Sequence, residues 1–85
     1  METVDQMTQT LKSYILETLL PGENPNALTD ETPLVTGGIL DSLATLKLVS
    51  FLEQRYKIEL QAHEVDVDNL NTISRIVSLV RSKLS

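Results

Sequence analysis

The chain has 85 residues, no cysteine, one histidine (His63), and Asp+Glu 12 against Lys+Arg 7 for a net charge of −5. That length supports one small hydrophobic core, so residues 1–85 are read as a single domain, and the aromatic residues are only Tyr14, Phe51 and Tyr56. Disulfides, thiolate metal sites and thiol nucleophiles are excluded, acid–base catalysis near neutral pH has one side chain to draw on, and the acidic balance argues against nucleic acid and anionic membranes.

Val4, Met7, Leu11, Tyr14 or Ile15, and Thr18 or Leu19 recur at steps of three and four, which predicts a long amphipathic first helix. Thr3 and Gln6 fit a capping box at its start. Pro21-Gly22 ends it, since proline lacks the backbone donor and glycine tolerates the exit geometry. Residues 21–40 then hold all three prolines and all three glycines. A connection of that length is usually functional or disordered, and Leu34, Val35, Ile39 and Leu40 argue against disorder because they would pin it across a core. A short helical turn is expected around Pro33 to Val35.

The second helix is expected from about Asp41, its N-cap, to Tyr56. Leu43, Leu46, Val49, Leu52 or Glu53, and Tyr56 form its stripe, widened by Leu48 and Phe51. Ile58 and Leu60 alternate with Lys57 and Glu59 in an extended stretch. One short helix is allowed within the acidic stretch 62–70. The last helix starts near the cap Thr72 and buries Ile73, Ile76, Val77, Val80 and Leu84, with Arg81 and Lys83 complementing its dipole. The fold class is therefore all-α, a four-helix bundle of three long helices and one short, with a long structured loop between the first two.

Chemistry concentrates in TGGILDSLATLKL, where Ser42 opens the second helix beside Asp41. A helix start offers unpaired amides and the positive dipole end, an environment that favours phosphate. No base with an orienting partner lies nearby in sequence to activate the serine, so Ser42 reads as a substrate for another enzyme. The bland alternative is that Asp41 and Ser42 merely cap a helix.

GGILDSLATLKLVSFLEQRYKIEL resembles the modification site and second helix of acyl carrier and peptidyl carrier proteins, and NTISRIVSLV resembles their closing helix. The likeness spans nearly the whole chain and implies the acyl-carrier bundle. It implies that Ser42 receives a 4′-phosphopantetheine arm from coenzyme A by a magnesium-using phosphopantetheinyl transferase, with Asp41 aiding recognition. It further implies a non-catalytic carrier of acyl or aminoacyl thioesters whose thiol comes with the arm. Partners would be that transferase, a loading adenylation enzyme or acyltransferase, and downstream tailoring or condensing enzymes. Leu43, Ala44, Leu46 and Lys47, with Arg55 beyond them, are the expected partner-binding positions. Lys47 and Arg55 stand where fatty-acid carriers commonly have acids, which favours dedicated partners in a specialised pathway over fatty acid or polyketide synthesis. GILDSL and the run IELQAHEVDVDNLNT resemble stand-alone aminoacyl carriers, such as D-alanyl and prolyl carriers.

No apolar run approaches the roughly 20 residues of a membrane span. The start Met-Glu-Thr lacks the pattern of a signal peptide, so a cytoplasmic monomer is expected. Glu64, Asp66 and Asp68 lack the glycine and closing acid of a calcium loop, and His63 alone is a poor zinc ligand. Two other readings are an unmodified helical adaptor and a hydrolase pairing Ser42 with His63, which no oxyanion hole or third triad member supports.

Overall fold

The computed structural model describes residues 3–22 and 24–84. The expectation of an unprocessed start rests in part on Met1 and Glu2, which lie outside them. Four α-helices follow in order: α1 (Val4–Thr18), α2 (Ser42–Tyr56), α3 (Val67–Leu70) and α4 (Ile73–Leu84), with short 3-10 turns at Pro25–Ala27 and Ala62–Glu64. No strand occurs among the described residues. The expected all-α bundle of three long helices and one short is what forms.

Local chemistry sets the helix starts. Thr3 and Gln6 make the reciprocal capping box of α1, with bonds of 3.1 and 2.8 Å. Thr72 Oγ1 accepts from the Arg75 amide and caps α4. α1 stops at Thr18, before the predicted breaker, and the amides of Leu19 and Leu20 both donate to the Ile15 carbonyl. Gly22 then takes φ +84 in the exit turn. At the end of α2, Lys57 adopts the left-handed conformation (φ 57) and its amide donates to the Glu53 carbonyl. Glu53 also accepts the Leu60 amide on its side chain, so one residue closes the helix and aims the chain that leaves it.

The core is aliphatic. Met7, Leu11 and Ile15 of α1 meet Ile73, Ile76, Val77 and Val80 of α4, with Leu48 and Leu52 of α2 and Leu70 of α3 enclosed with them. Several expected stripe positions fall outside it. Val4 and Leu84 are exposed because the first turn of α1 and the last of α4 lie at the ends of the bundle. On α2 the buried row is Ala44, Leu48, Leu52 and Tyr56, while Leu43 and Leu46 face outward. Apolar side chains wrap so much of α2 that spacing alone left its register undetermined. Tyr14 is half-buried and stacks on Phe51, with ring centroids 4.1 Å apart, and burial pushes its hydroxyl above the usual tyrosine range.

The loop differs from expectation in one element. Pro33 to Val35 form no helix; residues 35–38 are a hydrogen-bonded turn, and the helical turn of the connection lies earlier, at Pro25–Ala27. The acidic stretch 62–70 holds the one short helix allowed there, α3, preceded by the 3-10 turn at Ala62–Glu64. That turn is tied to the end of α4, because Glu64 accepts from the Gln61 amide and pairs with Lys83 at 3.0 Å. Those bonds hold the Glu64 carboxyl below its usual value of 4.5.

A carboxylate with a lowered folded-state pKa contributes stability above its unfolded pKa and loses it as pH falls through the folded value. Glu64→Gln is therefore expected to lower the melting temperature at pH 7, with the difference from the parent closing on acidification below pH 4.5. A difference in melting temperature that persists unchanged in acid would contradict this coupling.

Candidate functional site

Ser42 is the first residue of α2 and is exposed. Asp41 precedes it in an extended conformation, and its carboxylate Oδ1 accepts from the Ala44 amide at 2.8 Å while its carbonyl accepts from Thr45. That cap satisfies the third and fourth amides of the helix. The amides of Ser42 and Leu43 have no partner among the described residues, so the positive end of the helix remains available beside the serine hydroxyl. A phosphodiester on Ser42 Oγ would meet solvent on one side and this helix start on the other, so the residues present fit such a group.

The loop delivers Ser42 to that position. Leu34 is fully buried; its carbonyl accepts from both Ile39 and Leu40 at 2.9 and 2.8 Å, folding 34–40 into a closed knot immediately before Asp41. Gly38 sits at φ +84 within it. A Cβ on Gly37 would run into the Pro33 carbonyl oxygen, so the first glycine of the pair is required for close approach.

The knot is anchored from the other side of the chain. The Asn71 carbonyl accepts the Leu34 amide at 2.6 Å, and its side-chain Oδ1 accepts the amides of Val35 and Thr36, both at 3.0 Å, together with the Thr36 hydroxyl at 3.3 Å. Further back, the Asp30 carbonyl accepts from the Ser74 amide, Glu31 bonds the Ser74 hydroxyl, and Asp30 pairs with Lys12 at 3.0 Å. That Asn71 anchors the loop was not visible in the sequence. Its partners lie 35 and 36 positions away, and no local pattern marks such an acceptor.

Of the expected partner-binding positions, Leu43 and Leu46 are the most exposed large hydrophobic residues described, at 62% and 65%. Lys47 is exposed beside them. Ala44 is a correction: it is buried on the core side of α2 and offers no surface. Arg55 is exposed further along α2, its guanidinium 5.8 Å from the Tyr56 ring centre. A shallow groove lined by Tyr14, Leu46, Lys47, Ser50, Phe51 and Gln54 runs along α1 and α2. Residues 42–57 carry Lys47, Arg55 and Lys57 against Glu53 alone, in a chain whose net charge is −5. Glu64, Asp66 and Asp68 serve the turns around α3, with Asp66 capping it, and the described residues contain no cluster of three or more metal-ligating side chains. His63 is exposed in the turn Ala62–Glu64. No helix among the described residues is long and apolar enough to cross a membrane.

The chain is a small helical bundle with an exposed serine at the start of a capped helix that a structured loop holds in place. Comparison with known proteins gives it a family. Over 71 residues the chain is 35% identical to "Probable acyl carrier protein PigG" of Serratia sp., covering 84% of this chain and 80% of that protein. Over 74 residues it is 34% identical to the D-alanyl carrier protein of Leuconostoc mesenteroides, covering 85% and 94% respectively. The chain belongs to the acyl carrier protein family. No protein-family model matches it. Among solved structures it is similar to a chain of "Crystal structure of FAD-dependent dehydrogenase", with a TM-score of 0.76 and 28% identity over 82% of this chain and 97% of that one.

The cap predicts a measurable cost. Asp41→Ala removes the acceptor for the Ala44 amide and is expected to destabilise the protein by about 1 kcal/mol. In urea this appears as a lower midpoint with an unchanged slope; an unshifted midpoint would show that the cap contributes nothing.

Proposed function

We propose that this carrier protein bears a 4′-phosphopantetheine arm as a phosphodiester of Ser42 Oγ and holds acyl or aminoacyl intermediates as thioesters on it. The observation that carries the reading is the exposed Ser42 hydroxyl at the first position of α2. Membership in the carrier family supports the arm. The absence of any cysteine also agrees with it, since a thioester needs a thiol that this chain lacks. In the modifying reaction the Ser42 oxygen bonds to phosphorus as the pyrophosphate bond of coenzyme A breaks. The hydroxyl proton leaves to a base of the transferase, and the adenine nucleotide departs as a bisphosphate. The arm supplies the thiol and the reach; the protein supplies the oxygen, its placement and a surface to be recognised.

That surface is read as the outer face of α2. Leu43 and Leu46 give it apolar contacts within about one turn of Ser42, and Lys47 gives it positive charge. With three cations against one acid between Ser42 and Lys57, it is suited to enzymes whose docking sites carry carboxylates around an apolar socket. This polarity supports dedicated partners in a specialised pathway, with an adenylation enzyme or acyltransferase loading the arm.

The dehydrogenase relative supports a tailoring oxidoreductase among those partners. The match covers 82% of 85 residues, about 70, and these make up 97% of the other chain, which is therefore itself of carrier size. A chain that small has no room for a dinucleotide-binding sheet, which is why we read the dehydrogenase name as pointing to a partner class and not to this fold's own activity.

The test is incubation of the purified protein with coenzyme A, magnesium and a broad-specificity phosphopantetheinyl transferase, followed by intact mass measurement. A gain of one phosphopantetheine, abolished in Ser42→Ala, is expected. An unchanged mass under conditions that modify a control carrier would defeat the reading and leave the helical adaptor in its place.

A further inference from the structure

The route by which Ser42 reaches its position is a chain of hydrogen bonds with a single side chain at its origin. Asn71 stands between buried Leu70 and the α4 cap Thr72, so its backbone is fixed by the core below it and the helix after it. From there its Oδ1 takes the amides of Val35 and Thr36 and the Thr36 hydroxyl, and its carbonyl takes the Leu34 amide. Leu34 in turn accepts from Ile39 and Leu40 through its carbonyl. Leu40 is buried and is followed directly by the cap Asp41 and by Ser42. The backbone amides of residues 34–36 have no helix or strand to bond within, so these bonds are what pairs them.

We propose that Asn71 is the positioning residue for modification of Ser42. By holding residues 34–36 against the start of α4, its side-chain oxygen fixes the loop that sets where α2 begins and how Ser42 is offered to the transferase. This rests on the reading of Ser42 as the attachment point. Asn71 touches neither Ser42 nor the transferred group; it acts through the loop. The chemistry it supplies is that of an acceptor, since its recorded side-chain bonds all end on Oδ1. An aspartate at the same position keeps that oxygen, whereas alanine removes it and glutamine displaces it by a methylene.

The experiment measures kcat and KM for phosphopantetheine transfer from coenzyme A in wild type, Asn71→Asp, Asn71→Ala and Asn71→Gln, with the same broad-specificity transferase. Amide exchange at Val35 and Thr36 and the melting temperature are recorded alongside. Val80→Ala is the stability control: it thins the core from α4, about 13 Å further along the chain, and assays are run where every variant is folded.

Asn71→Ala is expected to lose about ten-fold or more in kcat/KM, the scale of a misplaced reacting group, with faster exchange at Val35 and Thr36. Asn71→Asp should retain the wild-type rate, and Val80→Ala should lose stability without losing rate. Should Asn71→Ala fail to fold, Asn71→Gln carries the same expectation.

Wild-type rates in Asn71→Ala or Asn71→Gln despite faster exchange in the loop would overturn the proposal. So would a rate loss in Val80→Ala equal to that of the Asn71 variants at matched stability. Failure of the wild type itself to gain mass would instead sink the reading of Ser42, so the two failures are distinguishable.

Discussion

Burying Leu34 obliges the loop around it to satisfy its own backbone. A leucine at zero exposure in the middle of a long connection carries its amide and carbonyl into the interior with it, and an unpaired buried polar group costs about 1–3 kcal/mol. Here both are paired, the amide to Asn71 and the carbonyl to Ile39 and Leu40. The connection thereby becomes part of the core rather than a tether between helices. Everything at the functional end follows from that closure, because the chain emerges from the knot only one residue before the cap of α2.

Features set by neighbours in sequence were legible from the residues alone. The capping box of α1, the Asp41 cap and the Thr72 cap each join residues three apart in the chain, and each forms. The extent of α2 and the place of Ser42 on it were likewise readable. The face that α2 buries was not, because Leu43, Ala44, Leu46, Leu48, Val49, Phe51 and Leu52 leave almost no polar side to orient it. The loop and its packing choose the register, turning Ala44 inward and Leu43 and Leu46 outward. Pro33 marks a turn rather than a helix because the segment after it closes on the Leu34 carbonyl. Asn71 was invisible for the plainest reason: its partners are separated from it by the whole of α2 and α3.

The family places the chain among carriers, and the structure is economical in a way that suits one. Its charged side chains are largely spent on turns and ends: Glu53 on the exit from α2, Glu64 and Lys83 on the closure of α4, Asp30 and Lys12 on the loop. Its aromatic residues are few, and the Tyr14–Phe51 stack lies at the surface between α1 and α2 instead of filling the centre. The aliphatic core holds a fixed shape beneath the start of α2, where Ser42 is exposed.

α2 and its exit carry Lys47, Arg55 and Lys57 against Glu53, and α4 carries Arg75, Arg81 and Lys83 with no acid, so the chain's excess of acids stands in the segments that connect the long helices. In the field of an approaching macromolecule such a body feels a torque before it feels a contact. At physiological ionic strength such a charge pattern is felt over about 8 Å. With α2 and α4 positive and the connections negative, any orienting effect on a nearby charge is local, and added salt weakens it further.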